Sequence, residues 1–229
     1  MLELCQTKKK VYTEEIMECC HCSIATVRRD LQEMEDNHMI QRFHGGALQI
    51  NANELPMFYK SVDHYEEKDR IARKACEQIK DHQVIYLDAG SSTFEMIKYI
   101  YSKDITVVTI GIPHVIELMN RNIKTIVLPG LVYKQTEAIS GKITVDALSS
   151  YHFDCAFMGV NGIDEVHQIT TTNKWEAKVK EKVIKQSDRS FILADHTKFH
   201  KVYPLQYAKL SDVTCISCIS PIKMKYIKT

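Results

Sequence analysis

The chain has 229 residues, 45% of them hydrophobic, with 30 basic against 29 acidic side chains and a formal net charge of +1. That length suggests one or two domains with a substantial core, and the near-neutral balance excludes a global field that attracts nucleic acid. No apolar run approaches the roughly 20 residues that span a bilayer, and no secretory leader pattern is visible, so a cytoplasmic protein without a membrane partner is expected.

Met1–Gln6 reads as a short, helix-like segment. Thr13 is placed to cap the next helix, with Glu14 and Glu15 in its first turn, where carboxylates suit the helix dipole. This helix runs to about Cys20 and turns at His21-Cys22. Cys19-Cys20-His21-Cys22 has no second ligand pair at finger-like spacing, and adjacent thiols diverge, so no metal is expected there. All eight cysteines read as reduced structural thiols.

From Ser23 to Gly46 the chain carries its most informative pattern. Ser23 is an N-cap candidate, and Ile24, Val27, Leu31 and Met34 recur at helical spacing, which predicts one buried face. Ala25, Thr26, Arg29 and Gln32 then point outward, with Arg28 on the flank. Cations lie early in this helix and acids late, as suits a recognition helix entering the major groove by its N-terminal end. Met39–His44 alternates into a strand ending at Gly45-Gly46, the wing hairpin of a winged helix-turn-helix, with Arg42 and His44 available to phosphates or the minor groove. The predicted DNA-contacting set is Ser23, Ala25, Thr26, Arg28, Arg29, Gln32, Arg42, His44 and Gly45.

Ser23, Thr26–Leu31 and Arg42–Ala47 together resemble the signature of the DeoR-type bacterial sugar-metabolism repressors. Winged helix-turn-helix domains of that family begin with a longer helix, so the resemblance implies a shortened first helix here. Residues 1–50 are slightly acidic, so DNA binding rests on placed cations and on a homodimer or homotetramer that multiplies them. The expected division is a DNA-binding domain over 1–48, a linker over 49–57 containing Asn51, Asn53 and Pro56, and a second domain over 58–229.

In that second domain a helix is predicted from about Ser61 to Lys80. Apolar runs at 84–87, 105–108, 125–128, 155–158 and 190–193 follow, mostly separated by helix-like segments. This predicts α/β architecture with a largely parallel sheet covered on both faces, and Val213–Ile219 as a further strand. Ligands in such sheets bind outside the carboxyl ends of the strands. There the sequence places Asp88-Ala89-Gly90-Ser91-Ser92-Thr93 before a helix over 94–100, a plausible phosphate cradle. Thr109-Ile110-Gly111, Gly159–Asp164 and Asp195–Phe199 converge on the same edge. Trp175 reads as core or interface, while Glu176 and Lys178 fit a ligand role as well as a solvated helix face.

These loops resemble the DeoR-type effector domain, which is similar in fold to ribose-5-phosphate isomerase, and the family typically senses phosphorylated sugars. The resemblance implies that Asp88, Gly90, Ser91, Ser92 and Thr93 hold a phosphate or nearby hydroxyls. It further implies that Asn161, Gly162, Asp164, Lys180, Asp195 and Lys198 line the sugar end. Ile110 and Pro129-Gly130 depart from the family pattern. The resulting expectation is a transcriptional regulator of carbohydrate metabolism, a repressor without enzymatic activity or cofactor, binding double-stranded operator DNA and a phosphorylated sugar. Alternatives are a sugar-phosphate isomerase with Asp88, Asp164 or Glu176 as base, and an effector-binding protein that has lost DNA binding.

Overall fold

The computed structural model describes Leu4, Lys8 and residues 10–36, 40–43, 45–49 and 64–218. The chain divides into two compact units, Met1–Tyr59 and Lys60–Thr229.

In the first unit, strand β1 (Lys10–Tyr12) leads into helix α1 (Thr13–Cys20), helix α2 (Ile24–Asp36) and the strands β2 (Ile40–Phe43) and β3 (Gly46–Gln49). The cap of α1 differs from expectation. Thr13 is already helical, and its N–H donates to the Gly45 carbonyl of the hairpin turn at 2.8 Å. Glu15 instead closes the helix start, accepting the Tyr12 N–H at 2.9 Å. His21 ends α1 in the left-handed region at φ 49°. For α2 the predicted cap is present, with the Ser23 hydroxyl accepting the Thr26 N–H at 3.2 Å. Ser23→Ala should therefore cost about 1 kcal/mol of stability in this unit, measurable as a shift in the urea midpoint.

Val27 and Leu31 are buried with Val11, Ile16, Ile40 and Ala47, and Met34 packs against them. Ile24 is not part of that stripe. It lies in the first turn of α2 and is 44% exposed. The wing is a three-stranded antiparallel sheet ordered β1-β3-β2, because β1 pairs Val11 with Ala47. Phe43 pairs with Gly46, so the turn falls a residue earlier than Gly45-Gly46, and β3 claims Leu48 and Gln49 from the expected linker. Gly45 takes φ +93°, the region where a Cβ is strained. His44, the side chain of Arg42, most of Met1–Gln6 and residues 50–63 lie outside the described residues.

The second unit opens with α3 (Tyr65–Cys76) and builds one six-stranded parallel sheet. Its strands are β4 (Val84–Leu87), β5 (Thr106–Thr109), β6 (Lys124–Val127), β9 (Phe153–Gly159), β12 (Ser187–Leu193) and β14 (Thr214–Ile216), in spatial order β14-β12-β9-β4-β5-β6. Their apolar residues alternate between two cores, as the period of a strand demands. Ile85, Leu87, Val107, Cys155 and Phe157 join Ile71, Met96 and Leu118 from α3, α4 (Ser91–Met96) and α5 (Ile112–Asn120). Tyr86, Val108, Ala156 and Met158 join Leu148, Val179 and Val183 from α6 (Lys142–Leu148) and α7 (Lys174–Lys185) on the opposite face.

Five strands absent from the sequence reading complete the unit: the hairpin β7 (Leu131–Tyr133) and β8 (Ala138–Ser140), and an antiparallel sheet formed by β10 (Gly162–Asp164), β11 (Gln168–Thr171) and β13 (Leu205–Ala208). Gly162–Asp164, expected in a loop, are thus strand residues, and Thr170 and Thr171 lie on the neighbouring strand. The helix after β4 also starts earlier than 94, so Ser91, Ser92 and Thr93 form its first turn.

Candidate functional site

From β4 the chain order runs to β5 and β6 on one side, while β9 and β12 lie on the other, so strand order reverses between β4 and β9. A crevice outside the carboxyl ends of the strands opens at such a reversal. Asp88 follows β4 and Gly159 ends β9. The two are joined across the switch, the Gly159 N–H donating to Asp88 Oδ2 at 3.1 Å.

Into this point α7 brings Lys180. Asn173 starts that helix by accepting the N–H groups of Trp175 and Glu176, which fixes its first turns. One turn separates Glu176 from Lys180, so both side chains share a face. Lys180 Nζ lies 2.9 Å from Asp88 Oδ2, 3.1 Å from Glu176 Oε1 and 2.5 Å from the Gly159 carbonyl. Its three donors are thereby engaged. The side chains of Lys180 and Asp88 are only 3% and 7% exposed. Burial by itself pushes the ammonium pKa down, but Asp88 and Glu176 outweigh it and hold Lys180 above the ordinary lysine value. Glu176 is held in turn by the Thr171 hydroxyl at 2.8 Å.

Gly90 precedes the first turn of α4, and Ser91 and Ser92 occupy positions whose N–H groups find no acceptor within a helix. The Thr93 hydroxyl packs inward. It accepts the Gly90 N–H at 3.1 Å, faces the Asp88 and Gly90 carbonyls at 2.6 and 2.7 Å, and meets His114 Nε2 at 3.1 Å. With its one proton given to a carbonyl, Thr93 must accept from His114, which assigns the Nε2–H tautomer. His114 is fully buried under the cradle, and burial pushes its pKa down to about 3, partly offset by a backbone contact to Gly90. Gly111 fits here because an added Cβ would lie 2.3 Å from His114 Nδ1. The buried Thr109 hydroxyl accepts the Gly111 N–H at 3.1 Å.

The remaining predicted residues fall into other groups. Asp195, after β12, is 1% exposed and caps a single helical turn by accepting the Thr197 N–H at 2.9 Å. Lys198 Nζ is 3.8 Å from Asp195 Oδ2. Burial raises the Asp195 pKa, but Lys198, Thr197 and the buried Lys68 of α3 reverse this and leave it below the usual carboxylate value. Asn161 is half-buried between β9 and β10. Gly162 is required by packing, since a Cβ there would lie 2.4 Å from the Lys201 carbonyl. Asp164 does not join the Lys180 cluster: its Oδ1 accepts the Val166 and His167 N–H groups at 3.0 and 2.8 Å and pairs with the His167 ring. Two groups therefore share the strand edge, Asp88–Lys180–Glu176 and Asp195–Lys198.

Sequence reasoning missed His114 and Lys68. Their partners Thr93 and Asp195 are 21 or more residues away, and no local spacing marks them. Buried tyrosine hydroxyls on Tyr86 and Tyr207, without partners among the described residues, also escaped it. Both tyrosines feel the cluster: beyond burial, Asp88 and Glu176 raise the Tyr86 pKa, while Lys180 lies 5.8 Å from the Tyr207 ring centre.

In the first unit Ser23, Ala25, Arg28, Arg29, Gln32 and Gly45 are exposed and Thr26 is half-exposed. Arg29 pairs with its neighbour Asp30 at 3.3 Å, with its side chain 78% exposed. Ala25 and Thr26 add little bulk in the first turn of α2, so a duplex could approach these groups.

Two family models match the chain. The DeoR-like helix-turn-helix domain matches residues 1–53, and the DeoR C terminal sensor domain matches residues 63–218. Among characterised and uncharacterised relatives, the HTH-type transcriptional regulator FruR of Bacillus subtilis is 36% identical over 90% of this chain and 84% of its own length. The HTH-type transcriptional repressor GlcR of the same organism is 32% identical over 93% of this chain and 83% of its own. The fold is also similar to ribose 5-phosphate isomerase A from Methanocaldococcus jannaschii, with TM-score 0.44 and 17% identity over 60% of this chain and 55% of that one. Among the described residues no helix is long and apolar enough to cross a membrane.

Proposed function

This chain belongs to the DeoR family of helix-turn-helix transcriptional regulators, and from that premise we propose that it represses carbohydrate-metabolism genes under the control of a phosphorylated sugar. The observation that carries the reading is the Asp88–Lys180–Glu176 cluster, with Asp88 and Lys180 buried and Glu176 at the surface edge, at the switch point of a sheet beside the first turn of α4. Carboxylates fixed in this way accept hydrogen bonds from sugar hydroxyls. Backbone N–H groups at Ser91 and Ser92, together with Lys198, supply positive potential for a phosphate. Lys180, its donors engaged, serves to position the carboxylates. Asn161, Gly162, Asp195 and the Thr109–Gly111 turn shape the same edge, whereas Asp164 organises the β10–β11 turn.

In the DNA-binding unit, α2 is the recognition helix. Arg28 and Arg29 with Ser23, Ala25, Thr26 and Gln32 form its outward surface, and Arg42, His44 and Gly45 belong to the wing. A pseudo-palindromic operator would be read by a homodimer or a pair of dimers, as the symmetry of such sites requires. Effector binding would shift the equilibrium between DNA-competent and incompetent arrangements by no more than its differential affinity for the two. The name of the GlcR relative supports the repressing sign.

The test is fluorescence anisotropy of DNA from upstream of its own gene across a salt series, repeated with a panel of sugar phosphates. Salt-steep binding altered by one phosphosugar is expected; binding no tighter than to random DNA would overturn the DNA-binding part. In the same assay Arg29→Ala should cost about 1–3 kcal/mol on the operator if it is bidentate to guanine. Equal losses on operator and random DNA would assign Arg29 to phosphate instead.

A further inference from the structure

One cluster of metal-type ligands lies outside the groups used so far. His64, at the start of α3, Glu67, in its first turn, and His196, in the loop after β12, offer ligand atoms that all lie within 4.8 Å of one another. Glu67 already grips His196 twice: Oε1 is 2.8 Å from His196 Nδ1, and Oε2 accepts the His196 N–H at 3.1 Å. The His64 and His196 rings meet edge to face with centroids 4.6 Å apart. His64 holds φ 55°, a conformation uncommon outside glycine and asparagine, and its carbonyl accepts the Glu67 and Lys68 N–H groups at 3.1 Å each. His64 thereby serves as the N-cap residue of α3, three positions before Glu67.

The geometry points to a binding site for a borderline divalent transition-metal ion, zinc in class, held by His64, Glu67 and His196 with water completing the shell. Two imidazoles and one carboxylate make a three-protein-ligand set that suits Zn²⁺ and leaves an open position. Tetrahedral ligand atoms sit about 3.3 Å apart at ordinary zinc distances, so the 2.8 Å Glu67–His196 contact needs to open by only a fraction of an ångström. The ion takes the place of the hydrogen between that carboxylate and Nδ1, and the neutral imidazole carries its single proton on Nε2 instead, so the tautomer changes and no net proton is lost. Glu67 and His196 are 129 residues apart in sequence. Binding would tie α3 to the loop carrying Asp195 and Lys198, and His196 opens the helical turn that ends at Lys198.

The experiment titrates the full-length, reduced protein with Co²⁺ and then Zn²⁺, following the visible cobalt spectrum, calorimetry and the melting temperature. One equivalent per chain is expected, with an intense tetrahedral visible band, no sulfur charge-transfer band, and a melting temperature that rises with free metal. His196→Ala should weaken binding by at least about tenfold, the lower limit for losing even an outer-shell partner. Glu67→Gln should do the same while its amide oxygen still accepts the His196 N–H, which separates loss of a ligand from loss of fold. A thiolate-to-cobalt band would put a cysteine in the coordination shell and overturn the assignment. So would the absence of stoichiometric binding, or affinities unchanged in both variants.

Discussion

Asp88→Ala should destabilise the C-terminal unit by about 3–5 kcal/mol, the range found when one member of a buried ion pair is removed. The alanine strands the Lys180 ammonium with only Glu176 and the Gly159 carbonyl, and removes the acceptor of the Gly159 N–H that ties β9 to β4. Lys180→Met should cost a similar amount by leaving two carboxylates facing each other without a cation. The double variant Asp88→Ala/Lys180→Met should lose clearly less than the sum, with a coupling of about 1–3 kcal/mol. Urea unfolding of the four proteins forms the cycle. Strict additivity would mean that the three groups do not act as a unit. Because the pair is buried, raising the salt concentration should change its contribution little.

The second large effect is one of pH. His114 in the folded protein titrates at about 3 because burial disfavours its cation, while an unfolded histidine titrates near 6.5. Between those values the unfolded chain holds the extra proton, so stability rises with pH across this window. The contribution is fully present above about pH 6.5 and is lost on acidification, amounting to about 2 kcal/mol at pH 5. His114→Gln keeps an N–H donor for Thr93 but cannot titrate. It should start less stable at pH 7, yet lose less stability on going to pH 5, in parallel urea curves. Identical slopes for the two proteins would show that His114 is already protonated or solvated in the fold. The same residue supports the turn at Gly90, so acidification should also loosen the proposed cradle before the unit unfolds.

Local chemistry determined much of this protein from the sequence alone. Ser23 caps α2, Val27 and Leu31 bury its inner face, and the Arg pair faces outward, because a helix of period 3.6 sorts side chains by spacing. The apolar runs over 84–87, 105–108, 125–128, 155–158 and 190–193 became parallel strands because only a sheet covered on both faces hides continuous apolar sequence. A strand-to-helix turn at Gly90 was legible for the same reason. What the spacing did not contain was pairing at a distance. β1 joined the wing and β13 joined β11 through backbone hydrogen bonds that carry little side-chain signature. The reversal of strand order between β4 and β9 placed Gly159 against Asp88, and the register of α7 on the sheet brought Lys180 to them. His114 beneath Thr93, and Glu67 against His196, likewise exist only because the packed sheet juxtaposes distant segments. Residue types at one edge were readable in one dimension; which of them share a charge, a proton or an ion was decided by the tertiary structure.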